Sequence, residues 1–193
     1  MFPTDADRRA LSLAPLPPDV LALLTAHAAR PRLVAHLTLV HDVAQQLVNA
    51  LRHASPRLGF DGDAVCFGAA THDLGKALHP AELVAPGRAH EAAGASLLIS
   101  AGVAPSRARF ARTHGTPRDA LATLDLDDLL VIAADVAWKG ARVRGLDDAL
   151  TAAIVRAEGC SAWAAFLTVD TILDTLGATA ERRLAWQARF SAA

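Results

Sequence analysis

The chain has 193 residues, of which 52% are hydrophobic and 20% charged, and its formal net charge is −1. This length fits one domain, and this composition excludes an intrinsically disordered chain. Lysine and arginine are scattered without a basic tract, which argues against a dedicated nucleic-acid-binding protein while leaving room for a small nucleotide in a local pocket.

From the same sequence we expect that the chain does not cross a membrane. No stretch is long and apolar enough to span a bilayer. Prolines interrupt the N-terminal segment, which lacks the apolar run of a signal peptide. We therefore expect a cytoplasmic protein with no membrane partner. Cys66 and Cys160 form no CxxC pair and lie in apolar surroundings, so both are predicted to be buried free thiols.

Helical periodicity recurs along the chain, with proline and glycine between the periodic segments. The first helix is predicted to open near Pro18 and to stop at Pro31, and an apolar stripe at three-and-four spacing follows over residues 32–53. Asp61 or Asp63 is expected to cap a helix that continues to about Leu74. After a loop over 75–87, helices are predicted at about 90–101, 106–114, 127–139, 146–158, 161–176 and 178–190.

No segment shows the alternating pattern of a strand, and tyrosine is absent while alanine and leucine dominate. This composition favours helices over sheets. We therefore predict an all-α fold, with residues 1–193 forming a single domain.

Two His-Asp dipeptides stand out, His41-Asp42 and His72-Asp73, and chance alone can supply one of them. His72-Asp73 ends an apolar helix, so both side chains can face one buried site. An imidazole and a carboxylate together provide the mixed donors that suit Fe, Mn, Co or Zn. Asp135 lies inside the apolar run LLVIAADVA, where a carboxylate is costly unless it is paired or bound to metal.

The segment ATHDLGK at residues 70–76 resembles the central signature of the HD-domain metal-dependent phosphohydrolases. That resemblance implies an HD-type helical bundle, with an HD core of about residues 30–145 and N- and C-terminal helices around it. It also implies that His36, which is followed by the family's apolar pattern, is the first metal ligand. His41 is then a second-shell neighbour or reserve ligand.

The resemblance extends downstream of this signature. IAAD at 132–135 is similar to the family's closing motif, which makes Asp135 a ligand. HEAAGASLL from His90 and RTHG around His114 are similar to stretches of the subfamilies with two metals. The implied metal ligands are His36, His72, Asp73, His90, His114 and Asp135.

The resemblance further implies one or two divalent ions (Fe, Mn, Co or Mg) that activate a water molecule for attack on a phosphate ester. Asp73 would bridge the ions and Lys76 would contact the phosphate. Arg112, Lys139 and Arg142 are further candidates for binding the substrate's phosphate. The expected substrate is a small phosphorylated molecule, such as a nucleotide or dinucleotide.

Several alternatives stay open. The Gly-Tyr-Pro of the cyclic-dinucleotide phosphodiesterases is missing after His114, which argues against that activity. The same ligand set suits an HD-fold di-iron oxygenase, and a non-catalytic HD ligand-binding module is a third possibility. A homodimer through aromatic residues near the C-terminus remains an alternative to their burial in the core: Trp163, Phe166, Trp186 and Phe190.

Overall fold

The computed structural model describes residues 1–192, and this part of the chain contains α-helices and short 3₁₀ helices but no β-strand. The prediction of an all-α fold is therefore confirmed. The α-helices are α1 (Asp5–Arg9), α2 (Pro18–Ala26), α3 (Pro31–Ala54), α4 (Gly62–Thr71), α5 (Ala89–Ser100), α6 (Pro105–Ala108), α7 (Phe110–Thr113), α8 (Leu126–Ala137), α9 (Arg144–Glu158), α10 (Ala162–Gly177) and α11 (Ala180–Gln187). The 3₁₀ helices span Leu74–Ala77, Pro80–Leu83 and Arg118–Thr123.

Local sequence signals explain most helix ends. Asp61 is the residue that caps α4, because its side chain accepts hydrogen bonds from the backbone N–H groups of Asp63 and Ala64, each at 3.0 Å. Pro31 occupies the first turn of α3, so it starts that helix as well as separating it from α2. Gly159 ends α9 in the left-handed conformation, with φ of 68°, which glycine adopts without strain.

Two predicted segments differ from the structure in the type of helix or loop that they form. The helix predicted over 106–114 is divided into α6 and α7, because the chain tightens at Arg109, whose carbonyl accepts the Arg112 N–H at 2.7 Å. The loop predicted over 75–87 contains parts of two 3₁₀ helices, and Pro80 begins the second. Both differences concern short turns, in which three-residue hydrogen bonds replace the regular helical pattern.

The core has two clusters, and α3 and α4 contribute to both. The larger cluster lies among α3, α4, α8, α9 and α10, while the smaller one lies among α2, α3, α4 and α5. On α4, Val65 and Ala69 face the larger cluster, whereas Phe67 and Ala70 face the smaller one. Helix α4 is therefore enclosed on both sides, and its C-terminal end delivers residues 72 and 73 to the middle of the protein.

The C-terminal aromatic residues divide between core and surface. Trp186 is buried and its Nε1 donates to the Asp7 carbonyl at 3.0 Å, and Phe190 packs against it. Trp163 and Phe166 are exposed and stack on each other, with ring centroids 5.6 Å apart. Trp186 therefore cannot serve as a surface contact, and the homodimer stays a prediction that only the exposed pair could support.

Cys66 and Cys160 are free thiols, as predicted, but both are half-buried rather than fully buried. Each lies at the margin of the larger core cluster. Burial raises the pKa of the Cys66 thiol to about 11, which makes it a poor nucleophile at neutral pH. In the described part of the chain, the helices fall short of the length and apolarity that crossing a bilayer requires.

Candidate metal centre

The six residues predicted as metal ligands converge at one place, although they come from five parts of the chain. His36 lies on α3, His72 and Asp73 follow the end of α4, His90 is in the first turn of α5, His114 follows α7, and Asp135 is near the end of α8. They form two groups of three donor atoms. We call them the His36 group (His36, His72, Asp135) and the His90 group (Asp73, His90, His114).

The His36 group has the spacing of donors that share one ion. Nε2 of His36 lies 3.3 Å from Nε2 of His72 and 3.4 Å from Oδ1 of Asp135, and the last two atoms are 3.5 Å apart. Bonds of about 2.1 Å from one metal ion to nitrogen or oxygen ligands place neighbouring donors roughly 3.0–3.4 Å apart. The three separations therefore match a single small divalent ion closely.

The His90 group has the same spacing and is joined to the first group by Asp73. Its Oδ1 lies 3.1 Å from Nε2 of His90 and 3.4 Å from Nε2 of His114, and these two nitrogens are 3.3 Å apart. The other oxygen, Oδ2, lies 3.2 Å from Nε2 of His36. Each oxygen of the Asp73 carboxylate thus faces a different group, which is the arrangement of a bridging ligand.

Hydrogen bonds on the far side of the imidazoles fix which ring nitrogen points inward. Nδ1 of His72 and of His114 lie 3.0 Å and 3.2 Å from the carbonyl oxygens of Ala69 and Phe110. Because a carbonyl can only accept, Nδ1 of each ring carries a proton and donates it, which leaves Nε2 of each ring pointing towards the site. Such outer hydrogen bonds orient histidine ligands in metal sites.

The arrangement of these donor atoms suits a cation between them. Asp73 is buried, and its Oδ1 has no hydrogen-bond donor among residues 1–192. Lone pairs of carboxylate oxygens and imidazole nitrogens at 3.1–3.5 Å repel one another unless a proton or a metal ion lies between them. This orphaned oxygen, together with the donor spacing, is the observation that fits the site to metal.

The pKa values of Asp73 and His36 show how strongly the charged groups of the site interact. Burial raises the pKa of Asp73, but the neighbouring imidazoles outweigh burial and hold it well below its usual range. Burial lowers the pKa of His36, but hydrogen bonds from its ring to Asp135 and Asp73 raise it overall to about 9. A metal ion entering the His36 group would compete with this proton of His36.

The close contact between α5 and the turn after α4 brings the two groups together. Gly75, in the 3₁₀ helix Leu74–Ala77, lies so near α5 that a Cβ on it would sit 2.0 Å from the His90 carbonyl oxygen and 2.6 Å from the Gly94 nitrogen. Only a residue without a side chain permits this approach. The glycine after His72-Asp73 thus positions His90 against Asp73.

A cavity of about 250 Å³ opens next to both groups. Lys76 lines it and donates to Oδ2 of Asp73 at 2.6 Å. Lys139 also lines it, as do three residues that the sequence did not single out: Arg32, Leu83 and Gln187. The predicted phosphate-binding candidates Lys76 and Lys139 are therefore at the site.

Arg112 and Arg142, the other two predicted phosphate-binding candidates, do not line this cavity. Arg112 is exposed and does not line the cavity. Arg142 is held by three carboxylates, those of Asp147, Asp170 and Asp174, at 2.8–3.1 Å. Its charge is already compensated where α9 and α10 pack together, so it stabilises that contact instead.

His41, predicted as a second-shell neighbour or reserve ligand, lies on a different side of α3 from His36. Five residues along a helix correspond to a rotation of roughly 140°. Its Nδ1 lies 3.0 Å from the Cys66 carbonyl and its Nε2 lies 2.9 Å from Nε2 of Gln45, and it belongs to neither donor group. His41 therefore ties α3 to α4 without touching the site.

This assignment can be tested with a pair of matched variants. We expect His36→Gln to weaken metal binding by more than roughly a hundredfold, because removal of a group that only hydrogen-bonds to a ligand already lowers metal affinity by about 10–100-fold. His41→Gln should leave metal affinity within about threefold and reduce the free energy of unfolding by about 1 kcal/mol, through its lost hydrogen bonds. Calorimetric titration with Mn²⁺ and urea unfolding measure the two effects. The reverse pattern would make His41 the ligand.

Glu82 is a feature of the site that the sequence gave no sign of. It lies in the 3₁₀ helix Pro80–Leu83, and its Oε2 is 2.5 Å from Nδ1 of His90. Its two oxygens also accept the backbone N–H groups of Ala89 and His90. The carboxylate therefore holds the His90 ring with its Nε2 toward Asp73 and begins helix α5 at the same time.

We expect Glu82→Ala to weaken binding to the His90 group by 10–100-fold while the His36 group loses little affinity. Glu82→Gln keeps an acceptor oxygen for Nδ1 and should retain most of the affinity. Glu91→Ala is the control, because Glu91 pairs with Arg88 on the same helix end and belongs to neither donor group. Mn²⁺ titration resolved into two sites is the measurement. Equal losses at both sites would show that Glu82 supports the fold in general.

No protein-family model, no curated protein and no solved structure matches the chain. The structure itself shows two groups of histidine and aspartate side chains that could hold metal ions.

Proposed function

We propose that the chain is an HD-type metal-dependent phosphohydrolase that cleaves a phosphate ester of a small molecule. The observation that carries the proposal is the pair of three-donor groups joined through the two oxygens of Asp73 beside a cavity that contains lysine side chains. Divalent ions bound there would lower the pKa of a water molecule and polarise a phosphoryl oxygen.

The chain's own residues have separate tasks in this proposal. Four imidazoles and two carboxylates supply nitrogen and oxygen donors, which suit Mn, Fe or Co and also permit Mg through the carboxylates. Asp73 fixes the separation of the two groups. The carbonyls of Ala69 and Phe110 and the carboxylate of Glu82 hold the rings in the required tautomer.

Lys76 is positioned to receive the substrate. Its Nζ lies 2.6 Å from Oδ2 of Asp73, and its side chain lines the cavity. If Asp73 held a divalent ion, its attraction for Lys76 would be weaker, and the Lys76 ammonium would be free to turn towards a phosphoryl oxygen. A lysine at this place would stabilise the negative charge that develops during phosphoryl transfer.

Two other functions use the same residues. A di-iron oxygenase needs a comparable set of histidine and carboxylate ligands, and a non-catalytic module needs only the cavity. Phosphate ester hydrolysis is preferred because three cationic side chains line the cavity, Arg32, Lys76 and Lys139, and because hydrolysis is the commoner activity of the fold that the sequence resembles.

The test is release of inorganic phosphate from a panel of nucleotides and phosphomonoesters with Mn²⁺, Co²⁺, Fe²⁺ or Mg²⁺, for the wild type and Asp73→Ala. Metal-dependent release that is lost in the variant supports the proposal. Iron in the purified protein with O₂-dependent turnover and no phosphate release would assign the oxygenase. Neither release nor bound metal would favour the binding module.

A further inference from the structure

Two cations of the cavity are placed beside the His36 group. Arg32 precedes His36 by four residues on α3, and Lys139 follows Asp135 by four residues, in the turn just after α8. Residues four apart lie on the same face of a helix. Each cation is therefore about one helical turn from a ligand of the same group, and both reach the cavity.

These two cations differ from Lys76 and Arg142 in lacking an acidic partner. Lys76 is bound to Asp73, and Arg142 is bound to three aspartates. Among residues 1–192, no carboxylate lies within ion-pair distance of Arg32 or Lys139. Their charges are therefore not compensated within the described protein and are available to a ligand.

A count of charges indicates how negative that ligand is. Arg32, Lys76 and Lys139 contribute three positive charges, and Asp73, Asp135 and Glu82 contribute three negative ones. Two divalent ions would then leave a surplus of about four positive charges. A hydroxide ion and the dianion of a phosphate monoester supply about three negative charges. One positive charge remains, and it favours a substrate with a further anionic group.

The walls of the cavity indicate how large the rest of the substrate is. Among residues 1–192, Leu83 is the one apolar side chain that lines the cavity. The only aromatic rings that line the cavity in this part of the chain are the imidazoles of the histidine ligands. Nucleobases are usually held by stacking on aromatic side chains. This charged lining suits a compact, charged molecule better than a nucleoside.

We propose that Arg32, Lys139 and Gln187 form an anion subsite beside the His36 group, which selects compact phosphate esters that carry a carboxylate as a second anionic group. This inference rests on the proposed function, because the phosphate ester itself is assigned to the metal groups. Arg32 and Lys139 bind the carboxylate through charge-assisted hydrogen bonds. The buried Gln187 amide, at the end of α11, contributes a further donor.

The experiment compares two substrates of nearly equal size, 2-phosphoglycolate and ethyl phosphate, which differ by a carboxylate in place of a methyl group. Adenosine 5′-monophosphate is the third substrate and tests the need for a base. The variants are Arg32→Gln and Lys139→Gln, with Arg182→Gln as the control, because Arg182 is exposed on α11 and does not line the cavity. Phosphate release and calorimetric binding of 2-phosphoglycolate are both measured, and circular dichroism verifies folding.

We expect the wild type to prefer 2-phosphoglycolate over ethyl phosphate by roughly tenfold or more in kcat/KM, as one charge-assisted interaction provides. Arg32→Gln and Lys139→Gln should each lower kcat/KM for 2-phosphoglycolate by a much larger factor than kcat/KM for ethyl phosphate, and so remove most of that preference, while Arg182→Gln changes neither value. Equal hydrolysis of the two compounds, or a preference for adenosine 5′-monophosphate, would overturn the subsite and leave the phosphohydrolase intact. Binding of 2-phosphoglycolate that depends on Arg32 without any phosphate release would keep the subsite and overturn the hydrolase.

Discussion

Asp73→Asn is expected to remove metal binding at the candidate site and, with it, the proposed hydrolysis, which makes it the substitution with the largest expected functional effect. Each oxygen of the Asp73 carboxylate faces one donor group, so replacing one oxygen with an NH₂ removes a ligand from one group and the negative charge from both. Removal of a group that only hydrogen-bonds to a metal ligand lowers metal affinity by about 10–100-fold. Loss of the shared ligand itself should therefore weaken metal binding by more than roughly a hundredfold.

The measurement is the metal content of the purified protein together with calorimetric titration of Mn²⁺. The control is Asp42→Asn, which also alters a buried carboxylate but one that accepts hydrogen bonds from the Ala14 backbone and the Gln46 side chain, outside both groups. Asp42→Asn should keep two bound ions per chain, even where its stability falls. Two tightly bound ions in Asp73→Asn would show that Asp73 is not the bridging ligand.

The sequence could predict the fold class and most of the helices because their signals are local. Asp61 caps α4 through its own backbone neighbours, and Pro31 and Gly159 mark helix ends through their fixed or permissive backbone angles. These effects involve residues within a few positions of one another. They are therefore readable without knowledge of the tertiary structure.

Periodicity alone could not decide between His36 and His41. Helix α3 has buried residues around most of its circumference, because both core clusters pack against it. A histidine on either face of such a helix is buried, and the apolar pattern does not indicate which face meets α8. Only the packing of α3, α4 and α8 separates the face that carries His36 from the face that carries His41.

The other residues of the site could not be predicted from the sequence, because only the tertiary structure brings them to the ligands. Glu82 reaches His90 from a short 3₁₀ helix, and Gln187 reaches the cavity from the last helix of the chain. Neither has a spacing or motif that links it to the ligands. Arg32 carried a weak signal, because it precedes His36 by one helical turn, and that signal gains meaning only once His36 is known to face a cavity.

Gly75→Ala is expected to cause the largest loss of stability among the substitutions considered, together with a loss of metal affinity at the His90 group. An added Cβ would lie 2.0 Å from the His90 carbonyl oxygen and 2.6 Å from the Gly94 nitrogen, and both are backbone atoms that cannot turn aside. Helix α5 would have to move away from the turn Leu74–Ala77. Overpacking of this kind usually costs 1–3 kcal/mol, and a backbone obstruction places Gly75→Ala at about 3 kcal/mol or more.

Urea unfolding followed by circular dichroism measures the free energy of unfolding. Gly59→Ala is the matched control, because a Cβ added at Gly59 would meet no other atom within 4 Å. We expect Gly59→Ala to remain within about 0.5 kcal/mol of the wild type. Because α5 carries His90 while α3, α4 and α8 carry the His36 group, the displacement in Gly75→Ala should weaken Mn²⁺ binding at the His90 group more than at the His36 group. Wild-type stability with unchanged binding at both groups would show that α5 does not need the close contact at Gly75 to complete the site.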